Sequence, residues 1–221
     1  MKYLTTFLFV SLFAVHLLSQ VQGDRREEPY PAPVSYEKIS DKKATFMALF
    51  EDRNVGNLHL YAAPKLKKKR TYQGEVIPAS YKYYFPADIW DSFRKKKLRP
   101  RALYSIRGDA EDWYIMRISD NRAKNSLRLY EWQGDNLVEK KMLAYTKCRG
   151  KNCEQLDSWI RDIDGDTNLD IVQKKASLRR GKVNESTVQT FSIDDRGVFR
   201  KTDELAIDAG DYQLEKMKAS R

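Results

Sequence analysis

"RDIDGDTNLDIV", residues 161–172, sets Asp162, Asp164, Asp166 and Asp170 within nine positions and then runs into an apolar pair. Crowded carboxylates repel unless a positive charge sits among them. No Lys or Arg lies between Asp162 and Val172 to supply it. The stretch therefore reads as a loop built for a hard cation, closed by Gly165, that leads directly into a short strand. Counted from Asp162, carboxylates fall at positions 1, 3, 5 and 9, with Asn168 at position 7. Six to eight oxygens at about 2.3–2.6 Å satisfy calcium, and such spacing can deliver most of them from one turn.

A loop followed by a strand recurs along the chain. "SIRGDAEDWYIM" (105–116) aligns with "DIDGDTNLDIVQ" (162–173). "FMALFEDRNVGNLHLY" (46–61) aligns without a gap on "IMRISDNRAKNSLRLY" (115–130), and "YEWQGDNLVEKKMLA" (130–144) resembles "FSIDDRGVFRKTDELA" (191–206), with Tyr130 falling on Phe191. The self-similarity divides residues 37–221 into three units, about 37–100, 101–157 and 158–210. Alternating strands such as "LRLYEW" and "TVQTFSI" are separated by tight turns, "QGDN" and "DDRG". This pattern predicts an all-β, antiparallel meander. Residues 43–50 could be helical, because Phe46, Leu49 and Phe50 share a helical face, but the likeness to 115–130 favours a strand. One short helix is expected over "PADIWDSFRKKKLRP" (86–100), with Asp88 and Asp91 early, Lys95–Lys97 late and Pro100 beyond.

The loop resembles the calcium loop of FG-GAP/VCBS repeats, the blade unit of integrin-alpha-type β-propellers. The resemblance implies side-chain ligation by Asp162, Asp164, Asp166 and Asp170 and backbone ligation by Asn168, with Ca²⁺ as cofactor. It implies blade-like repeats and a binding or adhesion role. Thr167 departs from it, since the family usually has a second Gly there. At 60 residues a unit, residues 24–221 cannot supply four full blades. The expectation is an incomplete propeller or a compact barrel-like closure. In the second unit the ligand positions are occupied by Ser105, Arg107, Asp109, Glu111 and Trp113. An arginine there opposes a cation, so that loop should keep its shape without metal; the "RGD" at 107–109 is explained by the same alignment.

The first 23 residues read as a secretory signal peptide: Lys2, an apolar run from Leu4 to Leu18, then Val21 and Gly23. The run is shorter than the roughly 20 residues of a membrane span, so no transmembrane span is expected. Residues 24–36, "DRREEPYPAPVSY", read as a Pro-rich extended arm. A secreted or periplasmic location follows, and in it Cys148 and Cys153 of "KCRGKNC" should form a local disulfide. "NES" at 184–186 is a glycosylation sequon.

Charge is localised. Residues 65–101 hold twelve basic and three acidic residues, nine of the chain's net +10. Lys67, Lys68, Lys69 and Arg70, and Arg94, Lys95, Lys96 and Lys97, with tyrosines between, are candidates for a polyanion-binding segment; otherwise they are solvated charge. An acidic polysaccharide, lipid headgroups, extracellular nucleic acid or another protein is the expected partner, and intracellular nucleic acid is not.

The chain contains two histidines, His16 and His59, and the first lies in the signal. A Ser-His-Asp-type hydrolase is therefore disfavoured. His59, between two leucines, reads as a surface or packed structural residue. The function expected is a calcium-binding repeat protein without catalysis. A metal-dependent hydrolase and a polyanion-binding surface protein are the alternatives.

Overall fold

The computed structural model describes residues 36–53, 56–62, 73–107, 112–119, 125–194, 198–205 and 207–216. The signal peptide, nearly all of the Pro-rich arm and Lys67–Arg70 lie outside them. The chain divides into two units, 1–42 and 43–221. The described part of the first is the start of helix α1, Tyr36–Met47; everything below concerns the second.

Strands β4 (Arg99–Ile106), β5 (Trp113–Ser119), β6 (Asn125–Gln133), β7 (Asn136–Arg149), β8 (Asn152–Arg161), β9 (Asp170–Arg179), β10 (Lys182–Ile193) and β11 (Phe199–Thr202) follow one another in the sheet in chain order. Each pairs antiparallel with the next, which is the expected meander. Three short strands complete it. β1 (Glu51–Asp52) pairs in parallel with β4, β2 (Leu58–Leu60) pairs with β8, and β3 (Glu75–Val76) pairs with β4.

The sheet is not closed into a barrel: its path begins at β1 and ends at β11, which corrects the barrel-like alternative. It folds over on itself instead. Relative to β6, β7 carries two extra residues, Lys140 and Leu143, where the register shifts. Bulges of this kind bend a strand and increase its twist. β7 pairs with β6 up to Thr146 and with β8 from Tyr145 onward. The fold places Trp113 of β5 against Phe199 of β11, ring centroids 5.4 Å apart. Lys141 of β7 lies over the ring of Phe191 in β10.

Strand β5 is consequently buried on both faces. Tyr114, Met116 and Ile118 face a cluster with Phe46, Phe50, Tyr84, Phe85 and Phe93. Trp113 and Ile115 face Leu103, Leu129, Leu143, Ile160 and Ile171. Burial on both sides explains why "WYIMRIS" is nearly unbroken in its apolar character rather than alternating.

The first face is covered by helices, and there are more of them than the one expected. α2 (Ala87–Lys95) is the expected helix. A 3₁₀ helix, Ala79–Tyr84, precedes it, and α1 ends at Met47, so residues 43–47 are helical rather than a strand. The physical reason is burial. Phe46 and Phe50 are four residues apart and meet at a centroid distance of 5.6 Å, and Phe46 is fully buried. One helical turn brings residues four apart together, whereas in a strand they would share a face but lie about 13 Å apart, too far for this ring contact.

Candidate metal centre

The register pair Arg161 and Asp170 closes the β8–β9 hairpin, and residues 162–169 form its loop. The loop's own carboxylates shape it. Asp162 accepts from the backbone N–H groups of Gly165 (2.7 Å) and Thr167 (3.1 Å), one on each oxygen. Asp164 accepts from Asp166 N–H at 3.2 Å. Asp166 accepts from the backbone N–H of Asn168 at 2.8 Å and from its side-chain Nδ2 at 2.9 Å. These are Asx-type bonds, in which a short polar side chain organises the backbone two or more residues on.

The bonds turn three side chains toward one point. One oxygen each from Asp162, Asp164 and Asp166 lies within 4.8 Å of the others. Asp170 stands apart from that trio. It is 3% exposed, and its Oδ2 accepts from Ile163 N–H at 3.1 Å, pinning the start of the loop to the end. The Asn168 side chain is committed to Asp166.

Electrostatics separate the two kinds of carboxylate. Asp166 is held below the ordinary carboxylate range, first by the Asn168 side chain and then by its N–H. Asp170 is pushed up to about 6. Burial is the main cause, and the negative charges of Asp164, Asp166 and Asp162 add to it against the Ile163 N–H. Such a site strongly favours an added positive charge.

The backbone answers the question posed by Thr167. Gly165 has φ 80° and Thr167 has φ 73°. The left-handed conformation for which the resembled loop employs glycine is therefore present here on a β-branched residue, where it is a genuine outlier. The donor set consists entirely of hard oxygens, with no nitrogen or sulfur ligand, the chemistry that suits a hard divalent cation such as Mg²⁺, Ca²⁺ or Mn²⁺.

Among the other residues singled out by sequence, Cys148 and Cys153 are register partners on β7 and β8 and are joined by a disulfide. Arg94 and Lys95 end α2, Lys96 and Lys97 follow it, and all four are exposed. Arg94 reaches Asp91 at 3.2 Å. The structure does not bring them to the aspartate loop.

One arrangement was not visible in the sequence. Asp157, fully buried on β8, accepts from His59 Nε2 (3.2 Å), Gln155 Nε2 (2.9 Å) and Glu215 N–H (2.8 Å). The His59 ring stacks on Trp159 at 4.4 Å, and Tyr212 meets Trp159 edge-on at 5.2 Å. Lys174 Nζ donates to the carbonyls of Ala209 and Tyr212. The group clamps β2 and the C-terminal segment 207–216 onto β8 and β9. His59 is thus packed, as expected, but its partner is a buried carboxylate 98 positions away. No family model matches this chain, and no curated protein or solved structure matches it.

Proposed function

We propose that this protein is a calcium-stabilised binding module of the secretory or periplasmic space, without catalytic activity. The observation that carries the reading is the convergence of Asp162, Asp164 and Asp166 to within 4.8 Å at the head of a hairpin. The FG-GAP/VCBS-like spacing, with positive φ at Gly165 and Thr167, supports the same reading. Asp162, Asp164 and Asp166 would hold the ion with the backbone of Asn168, while Asp170, bound to the Ile163 N–H, would close the loop beside them. When bound, the ion would neutralise the loop and tie the end of β8 to the start of β9. A structural cation has its coordination filled by protein oxygens, whereas a catalytic one keeps an open position. Here the ligands come from one local loop. The disulfide supports an oxidising compartment. Among the described residues no helix is long and apolar enough to cross a membrane.

The test is thermal melting with EDTA and with millimolar calcium. A ligand at a hundredfold excess over its Kd stabilises the native state by about 2.7 kcal/mol. For a domain of this size that raises Tm by roughly 5–11 °C. Asp164→Ala should abolish the response. Identical melting curves with and without calcium would sink the proposal.

A further inference from the structure

A second charged surface lies at the opposite end of the β8–β9 hairpin. The β7–β8 turn reads "KCRGKNC" and the β9–β10 turn "LRRGK". Each is unremarkable alone. The meander sets them side by side. Arg149 pairs with Asn152, Asn152 with Arg179, and Arg179 with Lys182, so four strand ends lie in one row. Neighbouring strands are about 4.8 Å apart. The backbone N–H of Arg180 donates to the Lys151 carbonyl at 2.8 Å and joins the two tips. The Cys148–Cys153 disulfide fixes the first tip. Gly150 (φ 59°), Arg180 (φ 54°) and Gly181 (φ 80°) make the turns tight.

Arg149, Lys151, Arg179, Arg180 and Lys182 are all exposed on this platform. None of the five has a carboxylate within ion-pair distance among the described residues. The nearest acid inward along β8, Glu154, is taken by Lys175 at 2.8 Å and by Tyr145, and it also holds Lys147 in its field. Five unneutralised cations on a fixed frame repel one another, and an extended polyanion laid across the row would relieve that repulsion.

We propose that the paired tips are a docking surface for a linear anionic polysaccharide. The tips contain no aromatic ring between Thr146 and Ser158 or between Ile171 and Thr190. Single-stranded nucleic acid is held by stacking on such rings as well as by charge. A bilayer surface calls for apolar residues to insert, and the large exposed hydrophobic side chain there is Val183 alone. The disulfide places the surface where polysaccharides rather than intracellular polyanions are met. The platform is independent of the aspartate loop, because ten-residue strands set the two roughly 30 Å apart.

The experiment uses the full chain and heparin as the probe, with binding measured by calorimetry at several salt concentrations. Log affinity should fall linearly with log salt, by counterion release. The variant Arg149→Gln/Lys151→Gln/Arg179→Gln/Lys182→Gln should lose at least tenfold in affinity and show a shallower salt slope. Arg94→Gln/Lys95→Gln/Lys96→Gln/Lys97→Gln should change affinity less than twofold. Acetylation of wild-type Lys151 and Lys182 should be slowed several-fold by heparin, which reads the site even if the tip variant folds poorly. EDTA should leave heparin affinity unchanged, so failure of the calcium reading and failure of this one are distinguishable. Affinity unaffected by the tip variant, no protection of Lys151 and Lys182, or equal or tighter binding to single-stranded DNA or anionic phospholipid vesicles would overturn the proposal.

Discussion

Replacing Asp157 by Asn tests whether one buried carboxylate holds three parts of the chain together. The substitution keeps the volume and removes the charge. The two oxygens of Asp157 now receive three donors, His59 Nε2 and Glu215 N–H on Oδ2 and Gln155 Nε2 on Oδ1. An amide keeps one acceptor and turns an –NH₂ toward the remaining donor. If the oxygen stays with His59 and Glu215, the –NH₂ faces Gln155, whose amide must then rotate. Rotation sacrifices its bond to the Glu215 carbonyl at 3.1 Å. The cost is one hydrogen bond to a charged group, about 1.5–3 kcal/mol, together with weakening of the others. The smaller desolvation of a neutral amide offsets part of this. The net loss should be roughly 2–3 kcal/mol, or a fall in Tm of roughly 4–12 °C. The loss should also be local. Hydrogen exchange at the Glu215 amide should accelerate far more than at Ile115 in the core. His59→Gln should cost less, since the His59 side chain is 28% exposed and water can replace it. An Asp157→Asn protein melting within about 1 °C of wild type, with the Glu215 amide unchanged, would refute the idea that Asp157 is the anchor.

Two further tests address strain and pH. Thr167→Gly relieves a left-handed β-branched residue, worth about 1–2 kcal/mol, and adds about 0.4–1 kcal/mol of unfolded-state freedom. A small rise in Tm, a few degrees at most, is expected both with and without calcium, and a fall measured by calorimetry would show that this φ is not strained. Lys141, whose amine burial pushes down to about 8, lies over Phe191. A depressed amine contributes stability that is present above its ordinary value near 10.5 and lost as pH falls through about 8. Wild type should therefore gain on Lys141→Met between pH 8 and 10.5, by on the order of 1 kcal/mol after discounting for partial exposure. Parallel melting-temperature profiles of the two proteins over that range would contradict it.

Much of the meander was legible because its signals are local. Gly134 at φ 60° sits in the turn "QGDN", where a tight hairpin is expected, and "LRLYEW" alternates as a strand does. The aspartate loop was legible for the same reason, since its shape is made by bonds between residues two to seven positions apart. What escaped was non-local. The fold-over depends on register shifts at Lys140 and Leu143, and no residue type announces these. The clamp joins His59 to Asp157 across 98 positions. The two basic hairpin tips were not singled out in the sequence, because their adjacency exists only once β8 and β9 pair. The misreading of residues 43–47 came from trusting an internal likeness over the helical spacing of Phe46 and Phe50, which the aromatic cluster then decided.

The pairing of β2 with β8 sets an order of events during synthesis. Leu58 pairs with Ile160, His59 with Trp159 and Leu60 with Ser158. The hairpins from β4 onward are short-range and can form as they emerge, whereas β2 meets its partner only after about a hundred further residues have been made. Contacts of such separation are slow to form, and chains lacking them expose surface meanwhile. A nascent chain of this protein therefore leaves Leu58–Leu60 without a strand partner until β8 is complete, although β1 can already pair with β4.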